Sequence, residues 1–122
     1  MQRWGKLESA IMEHLWARDA PSTVRELYEE LLEKRSIAYT TVMSTMDTLF
    51  KKGVLRREPD GRAYRYTPVM TREENSARWM TEALSASDDR AATLMHFTRQ
   101  ISPQEAAELR EALEQAIAEA SP

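Results

Sequence analysis

The chain has 122 residues, 42% of them apolar, no cysteine and a formal net charge of −3. That is enough for one core domain with a smaller appendage and too little for two large ones, and it excludes a disulfide framework, a thiolate metal site and a thiol redox switch. The charge is uneven: residues 1–70 carry 12 basic and 10 acidic side chains and residues 71–122 carry 5 and 10, so the first part can meet a polyanion although the whole chain is acidic.

The N-terminus, Met1-Gln2-Arg3-Trp4-Gly5-Lys6, leads straight into an amphipathic pattern instead of a signal-peptide core, and no apolar run is long enough to span a bilayer. A cytoplasmic protein without membrane insertion is expected. Over residues 6–17, Leu7, Ile11, Leu15 and Trp16 share one helical stripe, with Glu8 and Glu13 outside it. Ala20-Pro21-Ser22 breaks that pattern. Thr23-Val24-Arg25-Glu26 is a capping box for a second helix, whose Val24, Leu27, Tyr28, Leu31 and Leu32 recur at helical spacing.

A short connection, Arg35-Ser36-Ile37, leads to a third helix over residues 40–51. Val42, Met46, Leu49 and Phe50 fall on one side of it, and the opposite side carries Thr40, Ser44, Asp47, Thr48 and Lys51, flanked by Thr41 and Thr45. Threonine and serine are mediocre helix formers. Their concentration on one face points to contact with base edges and phosphates, against the plainer reading of a solvated surface. Met43 is expected partly exposed beside this face. Asp47 would repel phosphate, so it is expected to pair with Lys51 one turn on or to accept from a cytosine amino group. Lys51, Lys52 and Gly53 close the helix.

Two β-leaning runs follow, residues 54–58 and 63–67, joined through Pro59-Asp60-Gly61-Arg62 with its Asp-Gly hairpin signal. Arg62 stands at or beside the tip. Alternation turns Tyr64 and Tyr66 to one sheet face, expected inward, and leaves Arg65 near solvent or phosphate. Arg56 and Arg57 are ambiguous between DNA and acidic neighbours in the same domain. The DNA-binding set is therefore Thr40, Thr41, Met43, Ser44, Thr45, Thr48, Lys51, Lys52, Arg62 and Arg65. Three helices and a hairpin in this order make a winged helix-turn-helix domain.

In the second part, Thr71-Arg72-Glu73-Glu74 is another capping box, opening a helix to about residue 84 with Trp79 and Met80. A fifth helix is expected over residues 87–101 with Leu94, Met95, Phe97 and Ile101. Ser102-Pro103-Gln104-Glu105 then starts a sixth that runs to about residue 120. Leu109, Leu113, Ala116 and Ile117 form a narrow stripe suited to helix pairing. Three short helices with so few large apolar residues do not make a monomeric core, so a homodimer is expected, with Trp79, Leu94, Leu109, Leu113 and Ile117 in its seam. The fold class is thus mainly α with a small β-hairpin wing: a winged helix-turn-helix DNA-binding domain over residues 1–70 and a C-terminal helical dimerisation domain over residues 71–122.

No Gly-rich phosphate loop, nucleophile elbow, HExxH or convergent His/Asp/Ser set is present, so no enzyme, catalytic residue, cofactor or metal is expected. His14 and His96 lie far apart and are expected to be structural. Met12, Met43, Met46, Met80 and Met95 are expected as core filler.

The residues resemble the penicillinase repressor family of bacterial transcription regulators over nearly the whole chain. The resemblance rests on Gly5-Lys6-Leu7-Glu8 through Ile11-Met12 and Leu15-Trp16, on Thr23-Val24-Arg25-Glu26, Tyr39-Thr40-Thr41-Val42 and Leu49-Phe50-Lys51-Lys52-Gly53, and on Gly61-Arg62-Ala63-Tyr64-Arg65-Tyr66. It implies a homodimeric repressor on an inverted-repeat operator, controlling β-lactamase or other cell-wall and antibiotic-response genes and so antibiotic resistance. It also implies a membrane sensor-protease that inactivates the repressor in its dimerisation domain, at the bond matching His96-Phe97. Two departures stand out. The cysteine motif of copper-responsive members is missing, which removes thiolate sensing, and Thr48 stands where many members carry an arginine. The rival reading is a winged helix used only for protein–protein contact. Such a wing would be apolar at its tip, whereas this one carries Asp60-Gly61-Arg62.

Overall fold

The computed structural model describes residues 4–121; Met1-Gln2-Arg3 of the N-terminal motif lie outside them. In chain order the elements are α1 (Lys6–Ala17), α2 (Val24–Leu32), α3 (Tyr39–Lys51), β1 (Leu55–Asp60), β2 (Ala63–Pro68), α4 (Arg72–Ser85), α5 (Arg90–Gln100) and α6 (Pro103–Ala120). They form two compact units that divide between Trp79 and Met80, inside α4.

The first unit has one core. Ile11, Met12 and Leu15 of α1, Leu27 and Leu31 of α2, Val42, Met46 and Leu49 of α3, Leu55 of β1 and Tyr66 of β2 are all buried in it. Each helix contributes residues three or four apart, the stripe that amphipathic spacing dictates. The capping box of α2 is formed: Thr23 Oγ1 accepts from the Glu26 amide at 3.2 Å and Glu26 Oε1 accepts from the Thr23 amide at 3.2 Å. Leu32 departs from the expected stripe and is exposed at the last position of α2.

At the end of α3, Gly53 adopts φ 79°, the left-handed conformation that lets the chain leave the helix and enter the wing. Strands β1 and β2 pair antiparallel from Leu55↔Pro68 to Asp60↔Ala63. The two turn residues are therefore Gly61 and Arg62, not Asp60 and Gly61. Gly61 has φ 63° and Arg62 a negative φ, the type II′ arrangement that needs glycine first. Pro59, which has no N–H, is accommodated because the sheet has only two strands. A bridge to the α1–α2 connection extends the wing at its base: the Ser22 amide donates to the Tyr66 carbonyl at 3.0 Å and the Tyr66 amide to the Ser22 carbonyl at 2.8 Å.

Tyr64 and Tyr66 share a face, with ring centroids 6.5 Å apart, but only Tyr66 is inward. Tyr66 is 4% exposed and Tyr64 43%, since Tyr64 pairs with Pro59 near the tip, beyond the reach of the core.

Near the start of α4, Trp4 packs against Trp16 and edge-on against Trp79, with centroids 5.8 and 5.1 Å apart. The Trp16 indole donates to the Met70 carbonyl at 2.9 Å. In the second unit, α5 begins at Arg90 and not at residue 87, because Asp89 is its N-cap and accepts from the Ala92 amide at 3.0 Å. Ser102 and Glu105 form the capping box of α6. No described residue of α5 or α6 is buried. Of the methionines expected as core filler, Met12 and Met46 are buried, but Met80 and Met95 are exposed, and Met43 is exposed beside the hydroxyl face of α3, as its position led one to expect. For Met80 and Met95 the reason is that their unit encloses no core for them to fill.

Candidate nucleic-acid interface

α3 is half in the core and half in solvent. Val42, Met46 and Leu49 fix its inner side, which leaves Thr40, Thr41, Met43, Ser44, Thr48 and Lys51 exposed and Thr45 and Asp47 partly so. The hydroxyls are ordered on the helix: Thr45 Oγ1 donates to the Thr41 carbonyl at 2.7 Å, Ser44 Oγ to the same carbonyl at 3.2 Å and Thr48 Oγ1 to the Ser44 carbonyl at 3.0 Å. Gly5, Lys6, Leu7 and Glu8 of the α1 N-terminus face Ser44, Thr45 and Thr48 across an open cleft of ≈ 350 Å³. No spacing rule relates Lys6 to residue 44, so only the fold brings this further cation to the hydroxyl face.

The cations around α3 are mostly paired. Lys51 Nζ lies 3.0 Å from Asp47 Oδ2, the one-turn pair expected from the sequence, and Lys52 Nζ lies 3.0 Å from Glu8 Oε2. Arg57, left ambiguous by sequence, turns back from the wing and places Nη1 3.2 Å from Asp47 Oδ1. Its guanidinium stands over the rings of Phe50 at 3.9 Å and Tyr64 at 4.2 Å, a stacking geometry open to arginine. The Asp47 carboxyl titrates below its ordinary range, through its hydrogen bond to Lys51 first and then through Arg57. It remains an anion whose charge is offset from two sides.

On the wing, Arg62 occupies the turn, is exposed and has no ion pair among the described residues. Arg65 is engaged: Nε lies 2.6 Å from Asp60 Oδ2 and Nη1 3.2 Å from Glu26 Oε1. Asp60 and then Glu26 raise its affinity for its proton. Glu26 also accepts from Arg18 Nη2 at 2.8 Å, and Glu30 accepts from both Arg18 and His14. A chain of charges thus runs from α1 through α2 to β2. Its contact between Glu26 and Arg65 spans 39 positions, so no local motif reveals it. His14 serves there as a hydrogen-bonding partner of Glu30 at 3.2 Å. Among the described residues no group of three or more His, Asp or Glu gathers as a metal site would require.

In the second unit, Leu94, Met95, Phe97, Leu113 and Ile117 are exposed, Leu109 is half-exposed, and His96 and Phe97 lie within α5. Trp79 sits in the first unit against Trp4.

The penicillinase repressor family profile matches residues 4–115. The chain belongs to the penicillinase repressor family. It is 44% identical over 116 residues to the transcriptional regulator BlaI of Mycobacterium tuberculosis, the match covering 93% of this chain and 84% of that one. Among solved structures it resembles the DNA-binding domain of the repressor BlaI, with a TM-score of 0.53 and 23% identity over 61% of this chain and 93% of that one. It also resembles the Bacillus licheniformis BlaI monomer in complex with the blaP half-operator, with a TM-score of 0.51 and 23% identity over 60% of this chain and 88% of that one. These two likenesses establish the winged-helix fold. Penicillinase repressors are transcription regulators and not enzymes, and no helix among the described residues is long and apolar enough to cross a membrane.

Proposed function

We propose that this penicillinase repressor acts as a cytoplasmic homodimer on an inverted-repeat operator, residues 1–70 reading DNA and residues 71–122 joining the two copies. The observation that carries the reading is the open hydroxyl face of α3 beside a wing whose tip carries the exposed Arg62. In the proposal α3 enters a major groove, Thr40, Thr41, Met43, Ser44, Thr45 and Thr48 meet base edges or phosphates, and Lys51, Lys52 and Arg62 lie along the backbone. Arg65 contributes less directly, since Asp60 and Glu26 already hold it. The B. licheniformis BlaI monomer bound to a half-operator supports one protomer per half-site.

The dimer reading is supported by the apolar residues that α5 and α6 leave in solvent, up to Ile117 at 67% exposure. A second copy laid on Leu94, Leu109, Leu113 and Ile117 would remove them from water. Each reading head then raises the effective concentration of the other at its half-site, so loosening the helical unit releases the operator. Cleavage of His96-Phe97 by a membrane sensor-protease would do this. That bond is helical, and proteases take extended chains, so α5 would have to open locally first. Control of β-lactamase or other cell-wall and antibiotic-response genes is the matching regulatory role.

Fluorescence anisotropy of the purified protein on an inverted repeat from its own upstream region, against a scrambled duplex over a salt series, tests the proposal. A preference of about a thousandfold with a steep salt slope is expected. Equal weak binding to this repeat and to duplexes selected from the whole genome would overturn it.

A further inference from the structure

A helix with its side chains is about 10–12 Å across, and the major groove of B-DNA is about 12 Å wide. A helix seated there therefore has a sugar–phosphate strand along each flank. Helical spacing puts Tyr39 and Phe50 on one flank of α3 and Thr45 on the other, with Thr40, Ser44 and Lys51 between them. What stands beside each flank is decided by α2 and α1.

On the Tyr39 flank, Arg25 of α2 sets its guanidinium carbon 5.0 Å from the centre of the Tyr39 ring, and Tyr28 meets the same ring edge-on at 5.3 Å. Arg25 is exposed and makes no ion pair among the described residues, although Glu29 stands one turn along α2, the spacing at which such pairs form. A ring holds a guanidinium in place without neutralising it. On the Thr45 flank, Lys6 lines the open cleft between the start of α1 and Ser44, Thr45 and Thr48. It too is exposed and without an ion pair among the described residues, and Glu8 beside it is taken by Lys52.

These two cations differ from the others near α3. Lys51 and Lys52 already hold carboxylates, which a phosphate would have to displace. Arg57 is spent on Asp47, and alternation along β1 turns Arg56 to the opposite face of the wing. Arg25 and Lys6 bring uncompensated charge to the two sides of one reading helix.

We propose that Arg25 and Lys6 bind DNA phosphates on the two strands that border the groove read by α3, Arg25 on one strand and Lys6 on the other. The inference rests on α3 being the groove-reading helix of the function proposed above. It adds two contacts that come from outside α3 and the wing and bracket the helix in its groove.

The test uses the full-length protein and the duplex it prefers, whether the upstream repeat or one selected from the genome. Phosphates of a half-site are replaced one at a time by uncharged methylphosphonates, and affinity is measured for the wild type, Arg25→Met and Lys6→Met. Methionine keeps an unbranched apolar stem and removes the charge. The wild type should be weakened by neutral linkages on both strands. Arg25→Met should become indifferent to a neutral linkage on one strand only and Lys6→Met to one on the other strand only, each with a salt slope lower by about one. The double variant should lower the slope by about two. A mere loss of net charge or of folding weakens binding without erasing the response to one phosphate. Undiminished sensitivity to every phosphate in both variants, or loss of response on the same strand in both, would overturn the inference and leave the repressor function standing. So would a wild type that responds on one strand alone, a result independent of how the variants fold. Equal weak binding to every duplex would overturn both together.

Discussion

Arg57 of β1 holds Asp47 of α3 across 3.2 Å while its guanidinium covers the rings of Phe50 and Tyr64. One side chain therefore ties the reading helix to both strands of the wing and offsets the one carboxylate on the helix's outer side. Arg57→Ala is expected to lower operator affinity about tenfold and to lower stability through the lost stacking. Adding Asp47→Ala should recover much of the affinity, because the uncompensated anion goes with it. A double-mutant cycle read by anisotropy checks this, and additive losses would show that Arg57 acts independently of Asp47.

The two outer arginines of the wing should behave differently. Arg62→Ala is expected to weaken binding on every DNA sequence and to reduce the salt slope by about one. Arg65→Ala should leave the slope nearly unchanged, since Asp60 and Glu26 neutralise Arg65 before DNA arrives. Titrations at several salt concentrations decide between them.

Leu113→Asp places a charge in the exposed apolar stripe of α6. The expected outcome is a monomer by sedimentation, an unchanged winged-helix spectrum and half-site affinity close to wild type. Affinity for the full inverted repeat should fall by about a hundredfold or more as the linked second head is lost. A dimeric Leu113→Asp protein would remove α6 from the interface.

Acid should loosen the helix starts. Glu26, Glu74 and Glu105 each accept a backbone amide at an N-cap, from Thr23, Thr71 and Ser102, and these bonds hold their carboxyls below the ordinary glutamate value of 4.5. The unfolded chain therefore takes up protons first as pH falls. The stabilisation is complete above about 4.5 and is lost as pH drops through the lower folded-state values. Urea midpoints followed by circular dichroism from about pH 6 to pH 3 should fall, and E26Q/E74Q/E105Q should flatten that dependence.

Gly53 isolates a backbone effect. A β-carbon there would meet nothing within 4 Å, yet the residue sits at φ 79°, where an L side chain is strained. Gly53→Ala is expected to cost about 1 kcal/mol and Gly53→Asn less, measurable by chemical denaturation. Equal costs would point to a lost contact instead of conformation.

The sequence made legible whatever depends on near neighbours. α1 spans the residues its stripe marks, the boxes at Thr23, Thr71 and Ser102 start α2, α4 and α6, and Lys51 meets Asp47 one turn away. What it could not convey depends on distance along the chain or on the edge of the core. Lys52 meets Glu8 across 44 positions, and Arg65 meets Glu26 across 39. Tyr64 carries the same alternation as Tyr66 and differs only in lying beyond the last core residue. The wing's turn shifted by one residue because a single glycine at the first turn position satisfies a II′ bend as well as Asp-Gly would satisfy I′.

The bridge between Ser22 and Tyr66 makes the wing a cantilever. Its root is clamped by Leu55 and Tyr66 in the core, by the pair of amide bonds to Ser22 and by Arg65 on Glu26 of α2, whereas the turn at Gly61-Arg62 lies beyond these anchors. In the proposed function, any deflection of the wing would fall on this outer part, and Arg62 would follow the DNA backbone while α3 keeps its angle. A clamped root and an overhanging tip are built from one continuous stretch of chain.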